Sequence, residues 1–592
     1  MKQKLFTKYL SLLLVAAMLL TVAGCIFRLP VRNAEVVSEL PAVTAAPTPD
    51  PTPAPAVAPM SAPLPDQVFA EIDEDFFRYL LHDDPSYMLQ VVKDPAAMGF
   101  DISNMKNPMG SVSKESYDSW IAKCRDVLQA LENLDRGSLS PANQFAYDTL
   151  KQELNLSLEG EEFYGYDELL GSYSGLQSNI LYTFLLYEID SEEDTESYFW
   201  LLRDVPRLLN EVLAYEQLRS ELGIFMPQKA LTEVLSQLDA IINAAPEKNA
   251  LLLTFEERIH ALALSDEKKN ALIAENFEVV TGSFTQAYIK LRNGLKALEK
   301  TCRRAVSIKE LKDEKFFRHF ELTVKLNSGK NLSVAEGIQL LDDAMEIMQK
   351  ECNAASAALP AGKMSAKYSA GTFEENLAYL RELTEGFLPV LPEHVVKKYE
   401  VHEQLQDQFS PAAYLLPGID DWSQNMVIVN QAEKSNSLLL TMAHETYPGH
   451  LYQYNYQRAL PHLSRYQQIF PAAFYAEGWS QFSEYQVAKR SDLYRKGELL
   501  LYQLDDAYNI SYIARLCLDM HSKGYTRDQI GLINEPDYFM KYAFGIANMF
   551  VLYDKIKEER GDAFDEDAFL KEFLDLGPSF FNLIEERMLK DK

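Results

Sequence analysis

From residue 66 onward, apolar side chains return at three- and four-residue intervals, the spacing that lines one face of an α-helix. The pattern covers 117–131, 141–158, 193–222, 227–245 and 271–305, and it continues through 333–358, 374–388 and 496–522. Laid out as strands, these stretches would scatter their apolar residues over both faces of a sheet, so the chain is confined to a mainly α fold. Its 592 residues exceed what one core usually organises, so two domains or one large multi-helix body is expected. The apolar fraction of 47% supplies a sizeable core, and no repeat of fixed length suggests a solenoid.

One short segment breaks the helical pattern. Residues 425–430 (NMVIVN) form a β-branched run after the turn-rich LPGIDDWSQ, predicting a strand. Ser435 or Asn436 can then cap a helix that carries SLLLTMA directly into His444-Glu445-Thr446-Tyr447-Pro448-Gly449-His450. The fold expected is thus a helical body with a small β element beside this motif.

The heptapeptide holds the parts of a zinc site. Zinc takes imidazole and carboxylate ligands in a tetrahedral array with one position left for water, and a carboxylate beside the first His can accept that water's proton. In the usual arrangement the two His residues sit four apart on one helix face; here they are six apart, and six residues turn a regular helix by about 600°. An unbroken helix would point the rings to different faces. Pro448, without an N–H, and Gly449, with its wide backbone freedom, therefore predict a bulge or break that swings His450 back toward His444. Glu477 follows 27 residues after His450 in another apolar helical stretch and is the expected third ligand, with Glu445 as the base. Glu484, seven residues further and on nearly the same face, could hydrogen-bond a ligating His; a solvated or core-paired carboxylate is the alternative. The pair His402-Glu403 has no second His nearby and reads as surface.

The N-terminus has its own logic. Residues 1–24 join a Lys-bearing start to a short apolar run and small residues, as an export signal does. An uncleaved anchor is the alternative, but the run is short for a span of about 20 residues. Val22-Ala23-Gly24-Cys25 resembles the lipobox of bacterial lipoproteins, which implies lipidation of Cys25 and a place on the outer face of the cell membrane. Residues 25–65 then read as a Pro/Ala-rich spacer, and 66–592 as the body, with an N-terminal helical half to about 360 and a metal-site half over 361–592. The formal charge is −30, and loss of Lys2, Lys4 and Lys8 with the leader makes it −33, so nucleic acid is not an expected partner. Cys124, Cys302, Cys352 and Cys517 show no CxxC spacing; free thiols are the default, with one disulfide open.

HETYPGH followed by AEGWSQFSEY resembles the HExxPGH and EGW signatures of the bacterial domain-of-unknown-function 885 (DUF885) family, which is grouped with the zinc-peptidase HExxH clan. The resemblance covers most of the mature chain, with weaker matches at 139–144, at 197–223 and at Tyr542-Ala543-Phe544-Gly545. It implies a gluzincin-like helical architecture with a deep cleft, in which the third ligand is a Glu on a later helix. It also points to His521 and Tyr542 as hydrogen-bond donors to a tetrahedral oxyanion. A core tyrosine and a structural histidine are the alternatives for these two. The chain departs from the family pattern at Tyr553, where an Arg is usual, at Phe569-Leu570, where Phe-His is usual, and at Cys517, where an acid is common.

Together these readings lead to an exported, lipid-anchored zinc metallopeptidase that hydrolyses oligopeptides, with the 425–430 strand offering its edge to the substrate. A peptide-binding lipoprotein with a structural metal, and a zinc amidase acting on cell-wall peptides, are the alternatives. Neither a nucleotide-binding Gly loop nor a GxSxG elbow suggests other chemistry.

Overall fold

The computed structural model describes residues 64–171, 175–303, 314–391, 398–404, 412–415, 417–421, 424–430, 437–524 and 536–590. The leader and nearly all of the expected spacer lie outside the described residues. The body opens with Leu64 as the cap and Pro65 as the first residue of the helix Pro65–Asp83, the position where a missing N–H costs nothing. Among the described residues no helix is long and apolar enough to cross a membrane.

The molecule is mainly α. Helices Lys114–Glu132 and Pro141–Glu159 match the first two periodic stretches closely. The third is α1 (Glu192–Glu221), whose start is fixed by a reciprocal cap: the Ser191 hydroxyl receives the Asp194 N–H, and the Asp194 carboxylate receives the Ser191 N–H. The stretch expected as one helix over 271–305 is instead two, Asp266–Val279 and Thr285–Ala297, joined by a π-turn at Val280–Phe284. Helix α2 (Val334–Ala358) is capped as α1 is, by Ser333 and Glu336.

Three strands follow: β1 (Lys398–Gln404), β2 (Ala412–Leu415) and β3 (Gln424–Asn430). Their order is β1-β3-β2, with β1 parallel and β2 antiparallel to β3. The expected strand is therefore present but central. Residues 426–429 of β3 are paired on both sides, so this part of the strand has no edge to offer a peptide, and the expectation is corrected there: the outer positions of the sheet belong to β1 and β2. His402 and Glu403 fall in β1, and their side chains are outside the described set.

The remaining labelled helices are α3 (Leu438–Glu445), α4 (His450–Arg458), α5 (Ala473–Arg490), α6 (Glu498–Ser522) and α7 (Pro536–Arg560). Helices α2, α5, α6 and α7 pack on one another, and α3 lies between α5 and β2. The largest apolar cluster runs across position 360, joining Phe76, Leu150 and Leu341 to Leu439, Trp479 and Phe550. A second cluster, including Tyr198, Val234 and Tyr288, is built from residues 109–295. Cys124, Cys302, Cys352 and Cys517 are all free thiols.

Candidate metal centre

The two histidines reach one point because the chain stops being a helix between them. Ser437, rather than the expected Ser435 or Asn436, caps α3, its hydroxyl receiving the Leu440 N–H at 3.3 Å. Helix α3 ends at Glu445; Thr446 leaves helical space (φ −118°, ψ −97°), the Tyr447–Pro448 bond is cis, and α4 begins at His450. The Gly449 N–H bonds the Ala443 carbonyl at 2.9 Å, and a Cβ on Gly449 would lie 1.8 Å from the His444 carbonyl oxygen, so only glycine fits. The Trp479 indole N–H donates to the Pro448 carbonyl at 2.8 Å and ties this corner to α5. The predicted break is thus a four-residue connection between two helices, and it leaves the imidazole rings 4.9 Å apart, centroid to centroid, and nearly perpendicular.

Helix α5 supplies the third group. It is buried on nearly every side, from Phe474 to Trp479 and on through Tyr485 and Ala488, which explains why its sequence shows no clear polar stripe. It comes close to α7 at a glycine pair: a Cβ on Gly478 would sit 2.7 Å from the Gly545 carbonyl oxygen. Next to that crossing, Glu477 Oε2 lies 3.2 Å from His444 Nε2 and 3.6 Å from His450 Nε2. One donor atom from each of His444, His450 and Glu477 falls within 4.8 Å of the others. Ligands at zinc's usual bond lengths form a tetrahedron with edges of about 3.3 Å, close to both of these separations.

The outer ring nitrogens are held from behind. His444 Nδ1 lies 2.8 Å from Glu484 Oε1, and His450 Nδ1 lies 2.9 Å from the Ser480 hydroxyl. Glu477, Ser480 and Glu484 are spaced three and four apart, so one face of α5 carries both the ligand and the two groups that orient the histidines. Such contacts would fix which nitrogen faces a bound metal. Glu445 stands alongside: its Oε2 receives the Tyr414 N–H from β2 at 2.9 Å, and its Oε1 is 4.0 Å from His444 Nε2. Glu445 Oε1, His450 Nε2 and Glu477 Oε1 are buried without a hydrogen-bond partner.

The electrostatics ask for a cation. Three carboxylates, Glu445, Glu477 and Glu484, meet two imidazoles, and among the described residues no Lys or Arg pairs with any of the three. Burial raises the Glu445 carboxyl well above the usual carboxylate range; His444 opposes this and the charge of Glu477 adds to it. Burial also works against Glu477, yet its hydrogen bond to His444 and the close approach of the His450 ring hold it down at about 2. For His444 burial is outweighed by the bonds to Glu477 and Glu484, which raise it well above its ordinary value. Unpartnered inward atoms, a nitrogen-and-oxygen donor set and anchored outer nitrogens together fit a zinc ion.

The other expected residues are placed as follows. His521, in the last turn of α6, is buried between the rings of Phe317 and Phe320, with centroids 3.9 and 4.1 Å away. Tyr542 is buried on α7, three residues before Gly545, with the Lys541 ammonium 5.5 Å from its ring. Of the departures, Tyr553 donates to Glu566 at 2.8 Å, and Phe569, Leu570 and Cys517 are core residues. Sequence reading gave no role to Ser480, Tyr414 or Gly545. Ser480 carried a signal, since it shares the helix face already argued for Glu477 and Glu484; β2 is too short to have announced Tyr414.

The sequence profile of the family described as "Bacterial protein of unknown function (DUF885)" matches residues 96–531, a span that holds every metal-centre residue and His521 but not Tyr542. No curated protein is significantly similar to the chain. Among solved structures, a candidate lipoprotein from Colwellia psychrerythraea shares the fold with a TM-score of 0.73 at 18% identity, covering 89% of this chain and 100% of that one. A candidate lipoprotein of unknown function from Shewanella oneidensis is similar with a TM-score of 0.55 at 14% identity, covering 88% of this chain and 100% of that one.

Proposed function

The chain belongs to the DUF885 family of bacterial proteins, and from that premise we propose that it is an exported, lipid-anchored zinc metallopeptidase that hydrolyses oligopeptides. The observation that carries this reading is Glu445. It is buried beside the three donor atoms, is not needed to complete them, and keeps one oxygen without a partner. A purely structural metal site has no use for such a carboxylate, whereas a hydrolase needs a base at that position.

A zinc ion held by His444, His450 and Glu477 would supply Lewis acidity toward a carbonyl oxygen and acidify a water molecule. The chain's own groups do the rest. The Tyr414 N–H fixes Glu445 Oε2, leaving Oε1 to accept a proton from the attacking water and to return it to the leaving amine. Glu484 and Ser480 keep the two imidazoles turned inward through the cycle. Of the two oxyanion donors implied by the family resemblance, Tyr542 is retained, because it shares with Gly545 the face of α7 that meets α5. His521, stacked between two phenylalanine rings, is assigned to the packing.

Export and anchoring at Cys25 complete the reading, with residues 25–65 holding the body off the membrane. The similar folds described as candidate lipoproteins support this placement.

Glu445→Gln tests the chemistry. The full-length variant is expected to keep its zinc while losing hydrolysis of a mixed peptide library by about a thousandfold or more. Turnover equal to the wild type would remove Glu445 from the role of base.

A further inference from the structure

A cleft of about 620 Å³ opens where the segment after helix Pro85–Val91 meets the start of α1 and residues 417–421. None of the metal-centre residues lines it. Its floor is apolar, with Val92 and Phe100 buried there, and its rim is acidic: Asp101, Glu188, Asp190 and Glu193 line it, and Lys93 is the one basic side chain among the described lining residues. Lys93 shows what the rim accepts. Its ammonium lies 2.6 Å from Glu188 and 3.0 Å from Asp190.

The cleft wall and the candidate metal centre are connected along the chain. The Lys93 and Asp94 N–H groups donate to the Asp420 carboxylate at 2.8 and 2.7 Å, and the Ile419 N–H donates to the Val91 carbonyl at 2.6 Å. These bonds clamp residues 417–421 against the cleft wall. The same piece of chain begins as β2, whose Tyr414 holds Glu445. Leu415, at the end of β2, is three residues from Gly418 on the wall, a separation of at most about 11 Å. Arg458, the last residue of the helix that starts at His450, lies in the electrostatic reach of both Tyr414 and Asp420.

We propose that this cleft is a specificity subsite of the metal centre and takes a lysine- or arginine-bearing segment of the peptide substrate. The naming of that peptide as a substrate rests on the peptidase reading; the binding itself does not. A long basic side chain lays its methylene stem along the apolar floor and brings its charge to the rim, which one carboxylate-bearing or one purely aliphatic segment cannot do as well. In a protein with a formal charge of −30, the surrounding field draws such segments in.

The test uses the full-length Glu445→Gln protein with metal removed by a chelator, so that binding is read apart from hydrolysis. A labelled hexapeptide with two lysines among leucines and alanines is compared with its counterpart carrying two glutamates. The lysine peptide should bind at least about tenfold tighter, with a preference that shrinks as salt rises. Adding Asp101→Asn with Glu193→Gln, or separately Leu186→Trp to fill the floor, should abolish most of that preference, circular dichroism confirming that each variant is folded. Equal affinity for the two peptides, or a preference unchanged in both folded variants, would overturn the proposal. A lysine preference in a wild-type protein that hydrolyses nothing would uphold the subsite's ligand class and sink the peptidase reading alone.

Discussion

At the scale of single residues, the candidate metal centre is made of inward atoms and the groups that aim them. Glu484 and Ser480 touch no metal ligand atom that faces inward; each holds the outer nitrogen of one histidine. Glu484→Gln and Ser480→Ala are each expected to weaken zinc affinity about 10- to 100-fold, measured by competition with a chelator. Affinity unchanged in both would mean that the histidines need no such support. That His444, His450 and Glu477 would meet, with Glu445 beside them, was legible in the sequence because spacing and chemistry coincide there: His444, Glu445 and His450 come in one heptapeptide, and Glu477 comes on a later helical stretch. Tyr414 was not legible, since it acts through its backbone N–H, and a backbone group carries no residue signature.

Among the secondary-structure elements, two close approaches set the geometry. One is the Pro448-Gly449 connection, foreseeable because an unbroken helix would separate the rings. The other is the crossing of α5 and α7 at Gly478 and Gly545, which periodicity does not reveal, since a glycine in a buried helix looks like a weakness until its neighbour is known. Gly478→Ala should cost about 1–3 kcal/mol in chemical unfolding and lower zinc affinity, because forcing α5 from α7 displaces the adjacent Glu477. An alanine variant as stable and as zinc-competent as the wild type would show that the crossing has slack. The strand at 425–430 was also foreseen, but its place in the sheet was not: a β-branched run states that a strand forms, not which neighbours pair with it.

For the whole molecule, helical periodicity anticipated a mainly α body, and long helices such as Val334–Ala358 and Glu498–Ser522 end within two residues of their expected limits. What periodicity could not anticipate is how the halves share a core, because that depends on contacts hundreds of residues apart: Thr149 and Ser579 hydrogen-bond across 430 positions. The same scale governs where the protein resides. Cys25→Ser is expected to move the exported protein from the membrane fraction to the soluble fraction, followed by immunoblot; a variant still wholly in the membrane would argue against anchoring through Cys25. The most direct test of the central claim is elemental analysis of the full-length protein, wild type beside His450→Ala, after zinc-replete purification. About one zinc per wild-type chain is expected, with its loss in the variant. Zinc absent from both proteins, or retained equally in both, would rule out a zinc site at these residues.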